Sequence, residues 1–278
     1  MSMAFENEIK KYEELRQRYQ SLIINKMDRE EYIMYNEVLF STHSCAIEGN
    51  SFSVDDTREL KEKGLGMIPA GKTLFEAFEM LDHFEAYEYM IQHLQHPLDE
   101  NLLKEINKRV TLHTLRSPDA IPGEYTTTDM AAGDTVFGDH EELIARVPQL
   151  LESTEKAIQA VIQAKNADRK QKEATNALHP MVLAARFHGF YDYLHPFRDG
   201  NGRTGRLVSN YILLRLGHPL LVIPSDCRNE YISALRMIRT EATDEHLIHF
   251  FFKMATDRME QEIKQKEANT NRFRAFLF

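Results

Sequence analysis

Cysteine is scarce in this chain of 278 residues. The two cysteines, Cys45 and Cys227, are far apart and form no Cys-x-x-Cys pair. A disulfide framework or a zinc knuckle requires more cysteines at closer spacing. The sequence therefore argues against both, and it indicates a protein of a reducing compartment.

Long apolar runs are lacking as well. No stretch approaches the length that spans a membrane, and the N-terminal residues lack the apolar core of a secretion signal. Basic residues are also fewer than acidic ones. The chain has 34 lysines and arginines and 43 aspartates and glutamates, which gives a formal net charge of −9. Nucleic-acid binding requires a basic footprint. We therefore expect a cytoplasmic protein with neither a membrane nor a nucleic-acid partner.

Helical periodicity dominates the pattern of apolar residues along the sequence, and an apolar content of 42% is enough for a hydrophobic core. The pattern predicts an all-α fold, with helices over residues 30–48, 73–94, 99–115, 139–165, 180–194, 207–216, 228–239 and 244–263. Residues 117–138 break the pattern with two prolines, three glycines and several β-branched residues. This stretch predicts one small β-hairpin.

The most informative stretch is HPFRDGNGRTGR, residues 195–206. Gly200, Asn201 and Gly202 lie between two helical patterns, so their backbone amides are at the start of the second helix. Unpaired amides and the helix dipole make such a position an anion site. Arg203 and Arg206 share one face of the first turn and can reach separate phosphates. Together these features predict a polyphosphate site.

Two other side chains in this stretch are candidates for binding a metal ion and for accepting a proton at the predicted site. Asp199 suits a magnesium ion that bridges phosphate oxygens. His195 lies where its ring can take a proton from an incoming hydroxyl. We expect Pro196 and Phe197 to point into the core and fix the loop. Each feature alone is usually structural, but their joint occurrence within twelve residues favours a catalytic site.

This stretch matches every specified position of the Fic family signature, H-x-F-x-[D/E]-G-N-G-R-x-x-R, and residues 99–255 resemble the family more weakly. Fic proteins are mostly helical, and they transfer a nucleoside monophosphate, usually AMP from ATP, to a protein hydroxyl. The resemblance implies a protein adenylyltransferase that uses ATP and Mg²⁺ and modifies a Ser, Thr or Tyr of a target protein or of the protein itself. It assigns these roles: His195 as general base, Asp199 as magnesium ligand, Gly200 to Gly202 as anion hole, and Arg203 and Arg206 as ligands of the β- and γ-phosphates.

The resemblance gives roles to two further segments. IPGEYTTTDMAAGDTVF, residues 121–137, corresponds to the family's flap, a hairpin that aligns the target backbone by strand addition. Many members have an arginine after the aromatic residue of the flap, where this chain has Thr126. Tyr231 lies where the family often stacks an aromatic side chain near the nucleotide base. Here Ile232 replaces the second of the family's tandem tyrosines.

An inhibitory motif is predicted upstream. SCAIEGN, residues 44–50, fits the family's [S/T]-x-x-x-E-[G/N] pattern through Ser44, Glu48 and Gly49. Glu48 shares a helix face with apolar residues, in a last turn where the dipole disfavours negative charge by roughly 0.3–1 kcal/mol. An inward glutamate there needs a cationic partner, and the resemblance supplies Arg206. We predict a latent enzyme; the alternative is a glutamate that extends into solvent ahead of a Gly49 cap.

The predicted organisation has three parts. Residues 1–98 form an N-terminal helical region that carries the inhibitory helix at about 30–48, residues 99–255 form the Fic catalytic core, and residues 256–278 form a helix end and tail. The aromatic residues of the tail are compatible with packing, a homodimer contact or disorder. The sequence does not choose between them.

Alternative functions remain open at this point. The same fold could transfer another group, such as UMP or phosphocholine, or remove AMP from a modified target. A regulatory protein that binds nucleotide without catalysis is a different class. His195 and Asp199 argue against that class, because a pure binder needs neither a base nor a metal ligand.

The other histidines receive structural interpretations. The pairs His93/His96 and His246/His249 have i, i+3 spacing, but no neighbouring carboxylate or cysteine completes a metal site. We interpret them as surface or capping residues. His188 lies seven residues before His195 and is expected to hydrogen-bond behind the site.

Overall fold

The computed structural model describes residues 5–66, 68–132, 135–166 and 177–268. Within these ranges the chain forms eleven α-helices and one hairpin. In order these are α1 (Glu6–Leu22), α2 (Arg29–Ile47), α3 (Val54–Lys63), α4 (Leu74–Gln92), α5 (Glu100–Val110), β1 (Ala131–Ala132), β2 (Thr135–Val136), α6 (His140–Ile144), α7 (Val147–Asn166), α8 (Pro180–Leu194), α9 (Asn201–Arg215), α10 (Arg228–Thr240) and α11 (Glu245–Ala268). The prediction of a mainly helical fold with one hairpin is confirmed.

Polar residues fix where several helices begin. The side chains of Asp28, Ser53, Thr73 and Asp99 each accept a hydrogen bond from a first-turn amide of the helix that follows. They satisfy N–H groups that have no partner within the helix. An aspartate before an apolar helical pattern and a proline at the start of one predict where α5 and α8 begin, and Asp99 and Pro180 have these positions in the structure.

Three predicted segments differ from the structure in extent. The helix expected at 99–115 ends at Val110, where two successive β-branched residues lower helix propensity. The helix expected at 139–165 is divided into α6 and α7, because Pro148 cannot donate a backbone hydrogen bond and belongs in a first turn. The hairpin expected within 117–138 has only two residues in each strand, with Ala131 opposite Val136.

Helices α8 and α9 lie at the centre of the fold. The helical spacing of apolar residues in α8 predicts one buried stripe formed by Leu183, Phe187, Phe190, Tyr191 and Leu194. Four of them are buried, but Phe190 is 47% exposed, so the buried stripe is narrower than the spacing predicts. Most of α9 is buried, which places the two helix ends of the motif deep in the molecule.

One apolar core joins the N-terminal helices to the central ones. Tyr12 of α1, Phe40 of α2, Leu183 of α8 and Phe251 of α11 all belong to it. The predicted boundary near residue 98 therefore divides segments that share a core, and it stays a prediction. The polar stretch KNADRKQKEATNA, residues 165–177, predicts a connector between helices. Residues 167–176 of this stretch and residues 269–278 of the predicted tail lie outside the described residues.

Cys45 and Cys227 are both free thiols. Among the described helices, none combines the length and apolar character that a membrane span requires.

Candidate active site

The motif forms a tight turn between α8 and α9 with two left-handed residues. His195 caps the end of α8 at φ 46°, and Gly200 precedes α9 at φ 75°. A positive φ is uncommon for a residue with a Cβ, and where it occurs the surrounding structure has to hold it. At Gly200 a Cβ would also lie 2.7 Å from a methyl carbon of Thr111. The turn thus requires glycine at 200 and holds His195 in a fixed position.

Side chains within and beside the turn close it. The amide group of Asn201 accepts a hydrogen bond from the Phe197 nitrogen (3.0 Å) and donates one to the Phe197 carbonyl (2.7 Å). Asn107 of α5 donates to the carbonyl of Asp199 (3.0 Å) and to the hydroxyl of Thr204 (3.1 Å). Phe197 is buried with Pro196, as predicted. Asn201 therefore clamps the loop with its side chain, and its backbone amide belongs to the helix start.

The first turn of α9 presents backbone amides without a side-chain cap. Amides at the start of a long helix, together with the helix dipole, favour an anion at this position. Of the three predicted amides, that of Gly200 donates to the carboxylate of Asp199 (2.5 Å) in this structure. The anion cradle that remains is the turn that begins at Asn201 and Gly202.

His195 and this cradle line the same cavity, which has a volume of about 760 Å³. Its wall also contains Asp199, Arg203 and Glu48. Ligand sites in proteins commonly have volumes of about 300–1,000 Å³. The cavity therefore has room for a nucleotide between the imidazole and the helix start.

The ring of His195 is held by an aromatic neighbour. Phe137, which follows β2, stacks on it with ring centroids 3.8 Å apart and an interplanar angle of 24°. Burial and the guanidinium of Arg239 lower the pKa of His195 to about 4. The imidazole is consequently neutral near pH 7 and able to accept a proton.

Arg203 lies on the cavity wall and forms a pair that the sequence analysis missed. Its Nη1 lies 2.8 Å from Oε1 of Glu79 on α4, and its Nη2 donates to Asp199 (3.3 Å). Glu79 also accepts a hydrogen bond from Asn50 (2.8 Å). A signal for Glu79 was available, because it shares the helical spacing of the buried residues His83, Ala86 and Met90.

Arg206 is covered by the predicted inhibitory segment. Its Nη2 donates to the Glu48 carboxylate (2.7 Å) and to the Ser44 carbonyl (2.7 Å), and its Nε donates to the Ser44 hydroxyl (3.0 Å). The Arg206 side chain is 3% exposed and is not part of the cavity wall. The two arginines predicted to bind phosphates are thus both engaged by carboxylates from N-terminal helices.

Glu48 points toward the motif, but it is less shielded from water than predicted. It follows α2 as the capping residue, and its side chain is 37% exposed because it forms part of the cavity wall. Although its partial removal from water opposes ionisation, Arg206 and then Arg203 hold the pKa of Glu48 below its usual value. Gly49 has φ 108° and ends the helix, as the motif predicts.

Gly202 is needed where the two segments meet. A Cβ at this position would overlap Oε1 of Glu48 and lie 3.0 Å from Nη1 of Arg206. Glycine at 202 therefore lets a carboxylate approach the start of α9. A phosphate oxygen would need the same space.

Tyr231, predicted to lie near the nucleotide base, is not part of the cavity wall in this arrangement, and its contact with a base stays a prediction. Tyr231 is 1% exposed and does not line the cavity. Its hydroxyl lies 2.5 Å from Nε2 of His188 and accepts a long hydrogen bond from Arg206 (3.4 Å). The aromatic residue at this position supports Arg206 from behind, and His188 has the hydrogen-bonding position that the sequence suggested.

The base of the flap is joined to the motif turn. Tyr125 and Phe197 form an antiparallel bridge, and the Thr126 nitrogen donates to the Pro196 carbonyl (2.8 Å). Thr126 is buried and directs its hydroxyl to Thr128 (2.9 Å), so it offers no charge to the cavity. Of the described flap residues, Val136 is 76% exposed. The tip of the hairpin lies outside the described residues.

Histidines outside the motif have the structural contacts that were expected. His93 caps α4 through the Tyr89 carbonyl (2.7 Å), and Nδ1 of His249 lies 2.7 Å from a carboxylate oxygen of Glu8. A cluster not predicted from sequence contains Glu13, His179 and His218, whose ligand atoms lie within 4.8 Å of one another. In that cluster Nδ1 of His179 already accepts a hydrogen bond from the Met181 amide (3.2 Å). This bond leaves its other nitrogen protonated, which is unsuitable for a metal.

Comparison with known proteins agrees with this geometry. Residues 97–213 match the Fic/DOC family model. The chain is 32% identical over 201 residues to the protein adenylyltransferase Fic of Drosophila grimshawi, covering 70% of this chain and 36% of that protein. It is 33% identical over 199 residues to the protein of the same name from Nematostella vectensis, covering 69% and 41%. The chain thus spans between a third and a half of the length of these relatives.

Solved structures agree in fold. A Fic domain containing signaling protein from Bacteroides thetaiotaomicron has a TM-score of 0.72 at 23% identity, with 93% of this chain and 97% of that chain covered. A Fic family protein from Desulfovibrio desulfuricans has a TM-score of 0.73 at 20% identity, with 98% and 78% covered. These structures show a shared fold, and the family model together with the curated relatives identifies residues 97–213 as a domain of the Fic/DOC family.

Proposed function

We propose that this protein transfers AMP from ATP to a hydroxyl group of a target protein and is held latent by Glu48. The observation that carries the proposal is that His195 and the uncapped start of α9 face one cavity of about 760 Å³. A binder of nucleotide alone would not need a neutral imidazole across from the phosphate cradle. The names of the curated relatives support the same reaction.

The residues suit an in-line displacement at the α-phosphorus of ATP. The target hydroxyl attacks, a new bond forms between its oxygen and the α-phosphorus, and the bond to the β-phosphate oxygen breaks. His195 takes the hydroxyl proton, which a depressed pKa allows near neutral pH. The amides of α9 and the guanidiniums of Arg203 and Arg206 stabilise the charge of the departing pyrophosphate.

Asp199 fits the proposed magnesium ion. Its carboxylate is 45% exposed on the cavity wall, and the hydrogen bonds to Gly200 and Arg203 both use Oδ1. Magnesium in nucleotide sites is commonly held by one or two carboxylates together with phosphate oxygens and water. When bound, the ion would supply positive charge to the polyphosphate. Asp199 is the residue that would hold it.

Latency follows from the engagement of Arg206. While Arg206 donates to Glu48 and Ser44, it is unavailable to a γ-phosphate. ATP that enters the cavity then lacks one of its two arginine ligands and meets the carboxylate of Glu48 on the cavity wall. A misplaced triphosphate turns the α-phosphorus away from the attacking hydroxyl, and small misplacements cost large factors in rate.

Intact-mass measurement tests the proposed reaction. The Glu48→Gly protein is incubated with Mg²⁺ and, in separate reactions, ATP, UTP, GTP or CTP, alone and with a cell extract as the source of targets. We expect a mass increase of one AMP unit on the protein itself or a target with ATP, and none in a Glu48→Gly, His195→Ala protein. An increment from another nucleotide in place of ATP would contradict AMP transfer. The absence of any increment on any protein would contradict transferase activity.

A further inference from the structure

Arg239 of α10 closes the end of the helix that carries His195. Its Nη2 donates to the carbonyls of Asp192 (2.7 Å) and Tyr193 (2.6 Å). The carbonyls of a last helical turn have no partner within their own helix. A guanidinium from a different helix therefore fixes the turn that comes immediately before His195.

The same guanidinium reaches the ring that stacks on His195. The Cζ atom of Arg239 lies 4.3 Å from the centroid of Phe137 and 4.5 Å from that of Tyr193. Phe137 in turn lies 3.8 Å from the imidazole of His195. A cation over an aromatic face is a favourable contact. Arg239 thus touches both structures that hold the imidazole, namely the helix end and the stacked ring.

We propose that Arg239 is a positioning residue for His195. By holding the last turn of α8 and the ring of Phe137, it sets the orientation of the imidazole toward the cavity and keeps a fixed positive charge near it. The expected effect of Arg239 on the reaction rate rests on the proposed AMP transfer. The expected effect of Arg239 on the orientation and pKa of His195 does not depend on that proposal.

Electrostatics around the imidazole agree with this assignment. Burial and Arg239 disfavour the protonated ring, whereas the Asp192 carbonyl and the Glu48 carboxylate favour it, and the balance lowers the pKa of His195 to about 4. The Asp192 carboxyl is itself buried, which raises its pKa to about 6 in spite of Arg239. The groups that face His195 therefore come from α2, α8 and α10, and Arg239 is the cation among those named.

The protonation state of His195 sets the direction in which the reaction rate should change with pH. The neutral imidazole is the proton acceptor, so activity is lost as the pH falls through the pKa of His195. Removing the charge of Arg239 should raise that pKa toward the usual value of about 6.5. The acidic limb of the rate profile should then move to higher pH.

A charge-removing variant and a matched control test the proposal. In Arg239→Gln and Arg236→Gln proteins, the His195 ring is followed by NMR between about pH 8 and pH 5, and a His195→Gln protein assigns its signal. Arg236 lies on the same helix and is exposed, so its variant has the same change of charge without the contacts. We expect the His195 signal to begin its titration at higher pH in the Arg239→Gln protein than in the Arg236→Gln protein or the unmodified chain, although burial still lowers the pKa of His195. A His195 signal that behaves alike in both variants and in the unmodified chain overturns the proposal.

A second variant separates positioning from a purely structural role. Arg239→Lys keeps the charge but lacks the planar group that reaches two carbonyls and a ring. In the Glu48→Gly background, we expect it to retain the low pKa of His195 and to lose at least about tenfold in kcat. An unchanged kcat would overturn the positioning role. If no variant transfers AMP, the proposed function fails, while the NMR titration still decides the assignment of Arg239.

Discussion

The Glu48→Gly substitution should raise the rate of AMP transfer by about 10- to 100-fold. The variant removes the carboxylate that accepts from Arg206 at 2.7 Å and lies on the wall of the cavity. A charge-assisted hydrogen bond contributes about 1.5–3 kcal/mol, and 1.4 kcal/mol corresponds to a factor of ten in rate. The freed guanidinium can then bind the γ-phosphate. Initial rates of AMP incorporation at saturating ATP and Mg²⁺ provide the measurement.

Two controls test whether the activation is specific to the removal of Glu48. Glu31→Gln removes a charge from an exposed position in the first turn of the same helix and should leave the rate unchanged. Thermal unfolding with and without ATP shows whether the Glu48→Gly protein is folded, since a ligand that binds the native state raises its stability. Equal rates for the unmodified chain and the folded Glu48→Gly protein would refute the inhibitory role of Glu48.

Alanine at position 195, in the Glu48→Gly background, should lower the rate of AMP transfer by about 10²- to 10⁴-fold, the usual contribution of a general base. The imidazole lines the cavity opposite the start of α9 and is neutral near pH 7. ATP affinity should change little, because the predicted phosphate ligands lie on α9. Single-turnover rates and equilibrium ATP binding, measured on the same protein, separate the two quantities.

A distant histidine provides the control for this substitution. His246 is exposed at the start of α11, so His246→Ala should retain the rate of the Glu48→Gly protein. A Glu48→Gly, His195→Ala protein that transfers AMP as fast as its parent would remove His195 from the mechanism.

The sequence predicted features that depend on nearby residues. The motif turn was predictable because its glycines, its arginines and the flanking helical patterns lie within a few residues of one another. The inward orientation of Glu48 followed from helical spacing, since residues on one face of α2 share an environment. The exposure of Glu48 did not follow, because it depends on the cavity that lies beyond it.

Contacts between distant helices were not predictable in the same way. Arg203 meets Glu79 from α4, and the helix end before His195 is held by Arg239 from α10. Helical spacing places Glu79 on a buried face but does not identify Arg203 as its partner, and Arg239 has no local signature. The packing of helices far apart in sequence brings these groups together. The contact of Tyr231 with Arg206 and its position outside the cavity wall likewise depend on helix packing and have no local signature in the sequence.

The most direct measurement is a crystal structure of the Glu48→Gly, His195→Ala protein with ATP and Mg²⁺, in which turnover is blocked and the nucleotide is retained. The account predicts the triphosphate on the first-turn amides of α9, with Arg203 and Arg206 on its outer phosphates and the α-phosphorus open toward residue 195. A triphosphate bound outside this cavity, or with its α-phosphorus on the side away from residue 195, would contradict the account.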